Sequence, residues 1–129
     1  THHGMTNCVF MPYVLTFNRP AIEERLSRAA AYLGIKGGFD GFSKAVLKLR
    51  KDLKVPHTLP ELIKDLKMDS KRKDEIAAMA VEDPSTGSNP VKLTKKAART
   101  LLDNAIAGKL LLAAYFDLGG GNRSGKGNI

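Results

Sequence analysis

The residues of this sequence that could do chemistry stand at its start. His2 and His3 are adjacent, and Gly4 follows them directly before an apolar stretch. A neutral imidazole is a common metal ligand and can project into a cleft from the entrance of a helix, while glycine lets the backbone turn tightly. Two adjacent histidines are by themselves a weak signal, because a surface pair or the remnant of a purification tag has the same pattern.

No other group of residues forms a recognisable catalytic centre. No serine, cysteine or carboxylate stands at a spacing typical of a nucleophile and its base, and the sequence has no His-Glu-x-x-His motif. The third histidine, His57, lies in a turn between prolines and is predicted to be an exposed loop residue. Cys8, Met5, Met11 and Met79 are predicted to fill the core. The residues alone therefore indicate no catalytic residue and no cofactor-binding residue.

The composition is that of one ordinary domain. The chain has 129 residues, 43% of them hydrophobic, which is enough to build one core. Its single cysteine excludes an internal disulfide and fits a reducing, cytoplasmic compartment. The longest apolar stretches are shorter than the roughly 20 residues that cross a bilayer, so no membrane partner is expected. The sequence starts at Thr1 without an initiator methionine and looks like a piece of a longer chain.

The apolar residues recur with a helical period, and no run alternates in the manner of a half-buried strand. This pattern predicts an all-α fold, a bundle of about six helices with short connections. The first predicted helix covers residues 5–17 and is bent or interrupted at Pro12, and the second starts at Pro20 and stops at Gly34, with Leu33 inward. The third turns Phe39, Phe42, Val46, Leu49 and Leu53 inward, and the fourth covers residues 59–66 and is capped by Thr58. The fifth is capped by Asp69 or Ser70 and turns Ile76, Ala77, Met79 and Ala80 inward, and the sixth runs from the cap Thr94 to Gly108.

The last part of the chain differs from the rest. Residues 1–110 are predicted to form the helical domain, and residues 111–129 to be a separate end. That end begins within an apolar run, residues 110–116, and becomes Gly-rich and polar like a flexible tail. Residues 119–126 lack the spacing of a phosphate-binding loop, so no nucleotide site is predicted there.

The net charge of +8 raises the question of nucleic acid, whose phosphates attract lysine and arginine. The positions of the charges argue for solvated helix faces instead, since acidic residues are interspersed and no aromatic platform could stack bases. A basic all-helical interaction module that binds nucleic acid or an acidic partner is nevertheless the alternative function. It requires that the cations of the third and fifth predicted helices form one face: Lys44, Lys48, Arg50, Lys51 and Lys54 with Lys71, Arg72 and Lys73.

Four segments resemble a known family. Residues 3–18, HGMTNCVFMPYVLTFN, are similar to a segment of the iron-containing (group III) alcohol dehydrogenases written roughly as HG-x-x-N/A-x4-P-x-V-x4-N, although only three residues separate Val14 from Asn18 here. Residues 26–34 resemble the "IA-x-x-LG" helix of that family, residues 55–66 its "IP-x-x-L-x-x-L-G-V" stretch, and residues 83–90 its "D-x4-x-NP" loop. Together, and in order over about residues 3–108, these weak patterns are fairly specific.

The resemblance implies the helical C-terminal domain of a dehydroquinate-synthase-like dehydrogenase. His3 would be the last in chain order of four metal ligands, an Asp and three His, and the other three would lie upstream of Thr1. Bound Fe2+ or Zn2+ would polarise the oxygen of an alcohol, aldehyde or ketone while hydride passes to or from NAD or NADP. The implied partners are the N-terminal nucleotide-binding domain of the same chain and a small alcohol or aldehyde, with a homo-oligomer as a further option. The domain alone would be inactive.

Two departures from the family pattern leave the substrate and the subfamily open. His2 stands where many relatives have proline, and Val91 stands where relatives often have arginine. The resemblance also predicts that the cleft face near His3 is more apolar than an ordinary surface, with Met5 and Phe10 uncovered, because it packs on another domain in the parent protein.

Overall fold

The computed structural model describes residues 2–110, and the predicted tail, residues 111–129, lies outside the described residues. Within residues 2–110 the chain is all-helical and has no strand, which confirms the predicted fold class. No helix of this part is long and apolar enough to span a membrane. The helices are α1 (His3–Tyr32), α2 (Gly38–Asp52), α3 (Leu59–Leu62), α4 (Ser70–Glu82) and α5 (Lys95–Ala107), with a short 3₁₀ helix at Pro84–Ser88.

The first helix runs without interruption through Pro12 and Pro20, so the predicted interruption at Pro12 and the predicted helix start at Pro20 are wrong, whereas a bend at Pro12 stays a prediction. A proline inside a helix removes one backbone N–H and costs about 3 kcal/mol. Tertiary contacts of the two residues before Pro20 offset that cost. Asn18 is buried in an amide pair, and the Arg19 guanidinium lies 4.6 Å from the centre of the Phe39 ring. Distant neighbours therefore hold α1 together where its local sequence is weak.

The second helix lies antiparallel against α1. Near its start, the Asp40 carboxylate pairs with Arg19 at 3.0 Å; near its end, Arg50 Nη2 donates to the carbonyl of Val9 at 3.3 Å. Hydrogen bonds to the Glu23 and Asp40 carboxylates raise the pKa of the Arg19 guanidinium, so this charge is firmly kept. The antiparallel arrangement places the end of α2 beside the beginning of α1.

The core lies where α1 packs on its neighbours. α1 contacts α2, α3 and α5, which confirms that the apolar first segment is central, while α4 packs mainly on α5. The short α3 ends at Leu62 rather than near residue 66. The buried core residues are Val9, Tyr13, Phe39, Leu59, Leu102, Ala105 and Leu110.

The helix ends follow the sequence signals closely. Thr58, Asp69 and Thr94 each accept a backbone N–H three residues further on, as N-caps do. Gly34 follows α1 and Gly108 follows α5, and both have φ at 71°, a left-handed conformation that suits glycine. Both predicted stops are therefore confirmed.

The second helix turns a different face inward from the predicted one. Phe39 is buried as predicted, but Leu49 and Leu53 are 59% and 66% exposed. Ser43 and Arg50 are buried instead. The apolar arc of α2 is wider than the strip that α1 covers, so part of it faces outward. The predicted inward positions of Leu33 and Met79 are wrong as well, since both side chains are exposed.

Gly41, in the first turn of α2, has no room for a side chain. A Cβ atom there would lie 1.9 Å from the carbonyl oxygen of Lys36, which is backbone and cannot turn aside. We expect Gly41→Ala to lower the free energy of unfolding by about 1–3 kcal/mol in urea denaturation followed by circular dichroism. Gly87→Ala is the matched control, because nothing lies within 4 Å of its Cβ position. Equal stability of the two variants would contradict this packing.

Candidate metal centre

The candidate ligand His3 is the first residue of α1 and is exposed. Its Nε2 lies 3.1 Å from Nδ2 of Asn7, one helical turn away, while its Nδ1 has no hydrogen-bond partner among residues 2–110. The ring is therefore oriented from one side and open on the other. Burial of His3 inside the bundle would have excluded the predicted metal role, and the structure does not bury it. The role itself stays a prediction.

The described residues supply only one part of such a centre. Nowhere in residues 2–110 do three His, Cys, Asp or Glu side chains come together as a metal-binding group. Catalytic zinc, by comparison, takes three protein ligands and an open position. The ring of His2 lies over Gly4, 3.5 Å from the position a Cβ would take there. An ion at His3 would need further ligands from outside the described residues.

The electrostatics at the start of α1 lead to the same requirement. A helix N-terminus carries a partial positive charge, which disfavours a cation. α1 has no acidic residue in its first turn to compensate for it. A divalent ion beside His3 therefore needs an anionic ligand from elsewhere, and the aspartate implied by the family resemblance would supply that charge.

His57 lies in a loop as predicted, but the prediction that it is exposed is wrong. It is partly buried, and the Tyr13 hydroxyl donates to its carbonyl at 2.8 Å. Its Nε2 lies 3.2 Å from the carbonyl oxygen of Gly108, so this nitrogen carries the proton and donates. His57 thus ties α1 to the end of α5. Its partners lie 44 and 51 residues away in sequence, and no local pattern indicates them.

The uncovered apolar residues near His3 are also not those predicted. Met5 and Phe10 are half-buried, and Phe10 packs against the core. Met11 is exposed instead. A cleft of about 340 Å³ between α1 and α5, lined by residues such as Phe17 and Leu101, does not include His3. The candidate metal centre is therefore an open helix end and not part of that cleft.

Two asparagines of the family-like segments prove to be partners. Asn18 closes the first segment and Asn89 lies in the loop of residues 83–90. Their side-chain amides exchange two hydrogen bonds, at 2.9 and 2.8 Å, and Asn89 also donates to the carbonyl of Val91. The two segments therefore hold each other in place, and these asparagines have a structural role.

Arg50 is a buried cation held by backbone oxygens. The residue is 7% exposed, and Nη2 donates to the carbonyls of Val9 and Pro56 at 3.3 and 3.1 Å, while Nε has no hydrogen-bond partner among residues 2–110. Burial lowers the pKa of this guanidinium. The sequence suggested a solvated lysine-rich face at this position, so the structural role of Arg50 was missed.

The two helices that carry the basic residues of the alternative function do not pack against each other. α2 and α4 share no contact within residues 2–110. Several of their cations are engaged by carboxylates: Lys48 with Asp52 at 2.6 Å, Arg72 with Glu75 at 3.1 Å, and Lys73 with Asp103 at 2.8 Å. This arrangement gives no support to a nucleic-acid-binding module.

Comparison with known proteins identifies the family. Residues 1–106 match the family described as "Fe-containing alcohol dehydrogenase family, C-terminal". The chain belongs to this family and corresponds to its all-helical C-terminal domain. No solved structure shows a significant match to the chain.

Three relatives show the range of the family. The chain is 29% identical over 106 residues to the NADPH-dependent butanol dehydrogenase of Clostridium saccharobutylicum, covering 78% of this chain and 27% of that protein. It is 28% identical over 106 residues to the lactaldehyde reductase of Escherichia coli (strain K12), covering 73% and 25%. It is 24% identical over 131 residues to the methanol:N,N-dimethyl-4-nitrosoaniline oxidoreductase of Rhodococcus erythropolis, covering 82% and 31%. The matched region spans only a quarter to a third of each relative's length.

The ionic cluster between α4 and α5 predicts a pH dependence of stability. The hydrogen bond from Lys73, together with the charges of Lys73 and Arg99, lowers the pKa of the Asp103 carboxyl. A carboxyl whose pKa is lowered by folding stabilises the fold above its unfolded pKa of about 3.9 and loses that contribution as the pH falls through its folded value. We therefore expect the wild-type chain to lose more stability than Asp103→Asn between roughly pH 4 and pH 2.

Because the Asp103 side chain is 43% exposed, the difference should stay below about 1 kcal/mol. Urea denaturation of both proteins at several pH values measures it. Asp65→Asn is the control, since Asp65 is exposed and forms no ion pair within residues 2–110. If Asp103→Asn and wild type lost stability in parallel on acidification, the cluster would not contribute.

Proposed function

We propose that this chain is the metal-ligating C-terminal domain of an NAD(P)-dependent dehydrogenase that interconverts small alcohols with aldehydes or ketones. The observation that carries the proposal is the family match over residues 1–106, which includes the exposed imidazole of His3. The proposal assigns the helical domain to residues 1–110 and treats residues 111–129 as an appended segment.

The relatives indicate the class of substrate. Their names specify butanol, lactaldehyde and methanol, all small alcohols or aldehydes. The names differ in the redox partner, which is NADPH in one and a nitrosoaniline in another. We therefore propose a small alcohol or aldehyde as substrate, with either nicotinamide nucleotide as the hydride carrier.

In the proposed centre His3 supplies one nitrogen ligand to Fe2+ or Zn2+. Such an ion, when bound, acts as a Lewis acid on the substrate oxygen. The side-chain amide of Asn7 lies 3.1 Å from Nε2 of His3. With its oxygen turned to accept the Nε2–H, Asn7 would orient the ring as outer-shell groups orient ligating imidazoles and would leave Nδ1 for the ion. The other ligands and the nucleotide site would come from an N-terminal domain of the parent chain. The domain alone is therefore proposed to be inactive.

The test begins with the coding sequence upstream of the Thr1 codon. The proposal expects an in-frame extension that contains Asp-x3-His, a further His before His3 and a Gly-rich phosphate loop. A stop codon or an unrelated sequence at that place would refute it.

In the parent protein, we expect His3→Ala to weaken metal binding by more than roughly 100-fold and to abolish dehydrogenase activity, because removing a ligand exceeds the 10–100-fold cost of losing an outer-shell partner. Asn7→Ala should fall within that smaller range. His2→Ala, beside the proposed ligand, is the control and should retain the metal. Metal content by mass spectrometry and alcohol oxidation report both effects. A His3→Ala protein that kept its metal would contradict the assignment of His3 as a metal ligand.

A further inference from the structure

The second helix carries an apolar strip that residues 2–110 leave largely uncovered. Phe42, Val46, Leu49 and Leu53 follow one another at steps of four, three and four residues, which places them on one face of the helix. We call these four residues the α2 outer face. Leu49 and Leu53 are mostly exposed, and the other two are half-buried.

The pattern of this face is that of a helix packed on a second helix. A single exposed leucine is ordinary, but apolar residues repeated at steps of three and four form the seam by which two helices pack. α1 already occupies the neighbouring strip, through Ser43 and Arg50. The α2 outer face is therefore available for another element.

The position of the face in the fold indicates where that element comes from. Arg50 contacts the carbonyl of Val9, so the end of α2 lies beside the beginning of α1. Val9 lies six residues, about 9 Å, from His3 along α1, and Leu53 lies about 4.5 Å beyond Arg50 along α2. The exposed end of the face thus points toward the end of the molecule where α1 begins. Any residues that precede Thr1 join the domain at this same end.

We propose that a helix from the part of the parent chain preceding Thr1 packs on the α2 outer face. This inference rests on the proposed function, because the match spans only 25–31% of the relatives' lengths and leaves a long segment to cover the face. A covalently joined segment also avoids the entropy lost when separate molecules associate. A second copy would bring together two chains that each carry a net charge of +8.

The packing would have a direct consequence for the candidate metal centre. A helix seated on Leu49 and Leu53 fixes the preceding chain against the same end of the domain that carries His3. The α2 outer face is then the surface that positions the remaining ligands relative to the His3 imidazole.

Cysteine labelling tests the proposal. In a Cys8→Ser background, Leu49→Cys places a thiol on the outer face, and Lys48→Cys places one on the adjacent solvated side, where the native side chain is 76% exposed. Both variants are made in the 129-residue chain and in the parent chain, and maleimide modification is followed by peptide mass spectrometry. We expect similar rates at both positions in the 129-residue chain. In the parent we expect Leu49→Cys to react on the order of tenfold more slowly than Lys48→Cys.

Each other outcome overturns the proposal in a distinguishable way. An active, metal-loaded parent in which both thiols react equally fast would defeat this inference and leave the proposed function intact. Protection of Leu49→Cys in the 129-residue chain itself, or protection that varies with protein concentration, would assign the face to this chain or to a second copy. If the gene had no upstream extension, both the proposed function and the helix proposed to pack on the α2 outer face would be contradicted. Circular dichroism of each variant confirms that the helices are retained.

Discussion

The continuity of α1 is the constraint on which the rest of the structure depends. It is one helix of 30 residues that passes through two prolines, and its first half contributes Val9 and Tyr13 to the core. Two long-range contacts hold it beside Pro20, the amide pair of Asn18 with Asn89 and the ion pair of Arg19 with Asp40. Without these two contacts, Pro20 would be expected to end the helix, because proline lacks a backbone N–H and disfavours the helical conformation in the residue before it. Three of the other helices, α2, α3 and α5, pack on α1, and His3 lies at its N-terminal end.

Local signals predicted the local features correctly. Thr58, Asp69 and Thr94 cap helices because their side-chain oxygens accept a backbone N–H three residues further on. A segment of four residues is therefore enough to predict each cap. The passage of α1 through Pro20 could not be predicted, since the Asn18 partner lies 71 residues away. The inward face of α2 could not be predicted either, because its apolar arc offers two strips and only the fold shows which of them α1 covers.

The candidate site was less predictable from the sequence than the helix caps were. Two histidines in a row gave a weak signal, and only the family resemblance singled out His3; the structure adds that this ring is exposed and oriented by Asn7. His57 and Arg50 were misjudged because their partners are backbone carbonyls of distant residues. A carbonyl is present at every position, so such a contact leaves no mark on the sequence.

Because α1 is long, a small tilt at Asn18 displaces its N-terminal end noticeably. Asn18 lies fifteen residues from His3, about 22 Å along the helix, so a tilt of only about 3° at the amide pair would move the imidazole by about 1 Å. A misplacement of that size can cost an active site roughly 100-fold in rate. The loop of residues 83–90, which pairs with Asn18 through Asn89, would therefore set the orientation of the proposed metal ligand from the far side of the domain. In directed evolution of the proposed enzyme, substitutions that change activity without changing stability should therefore be sought around the pair of Asn18 and Asn89 as well as at the metal.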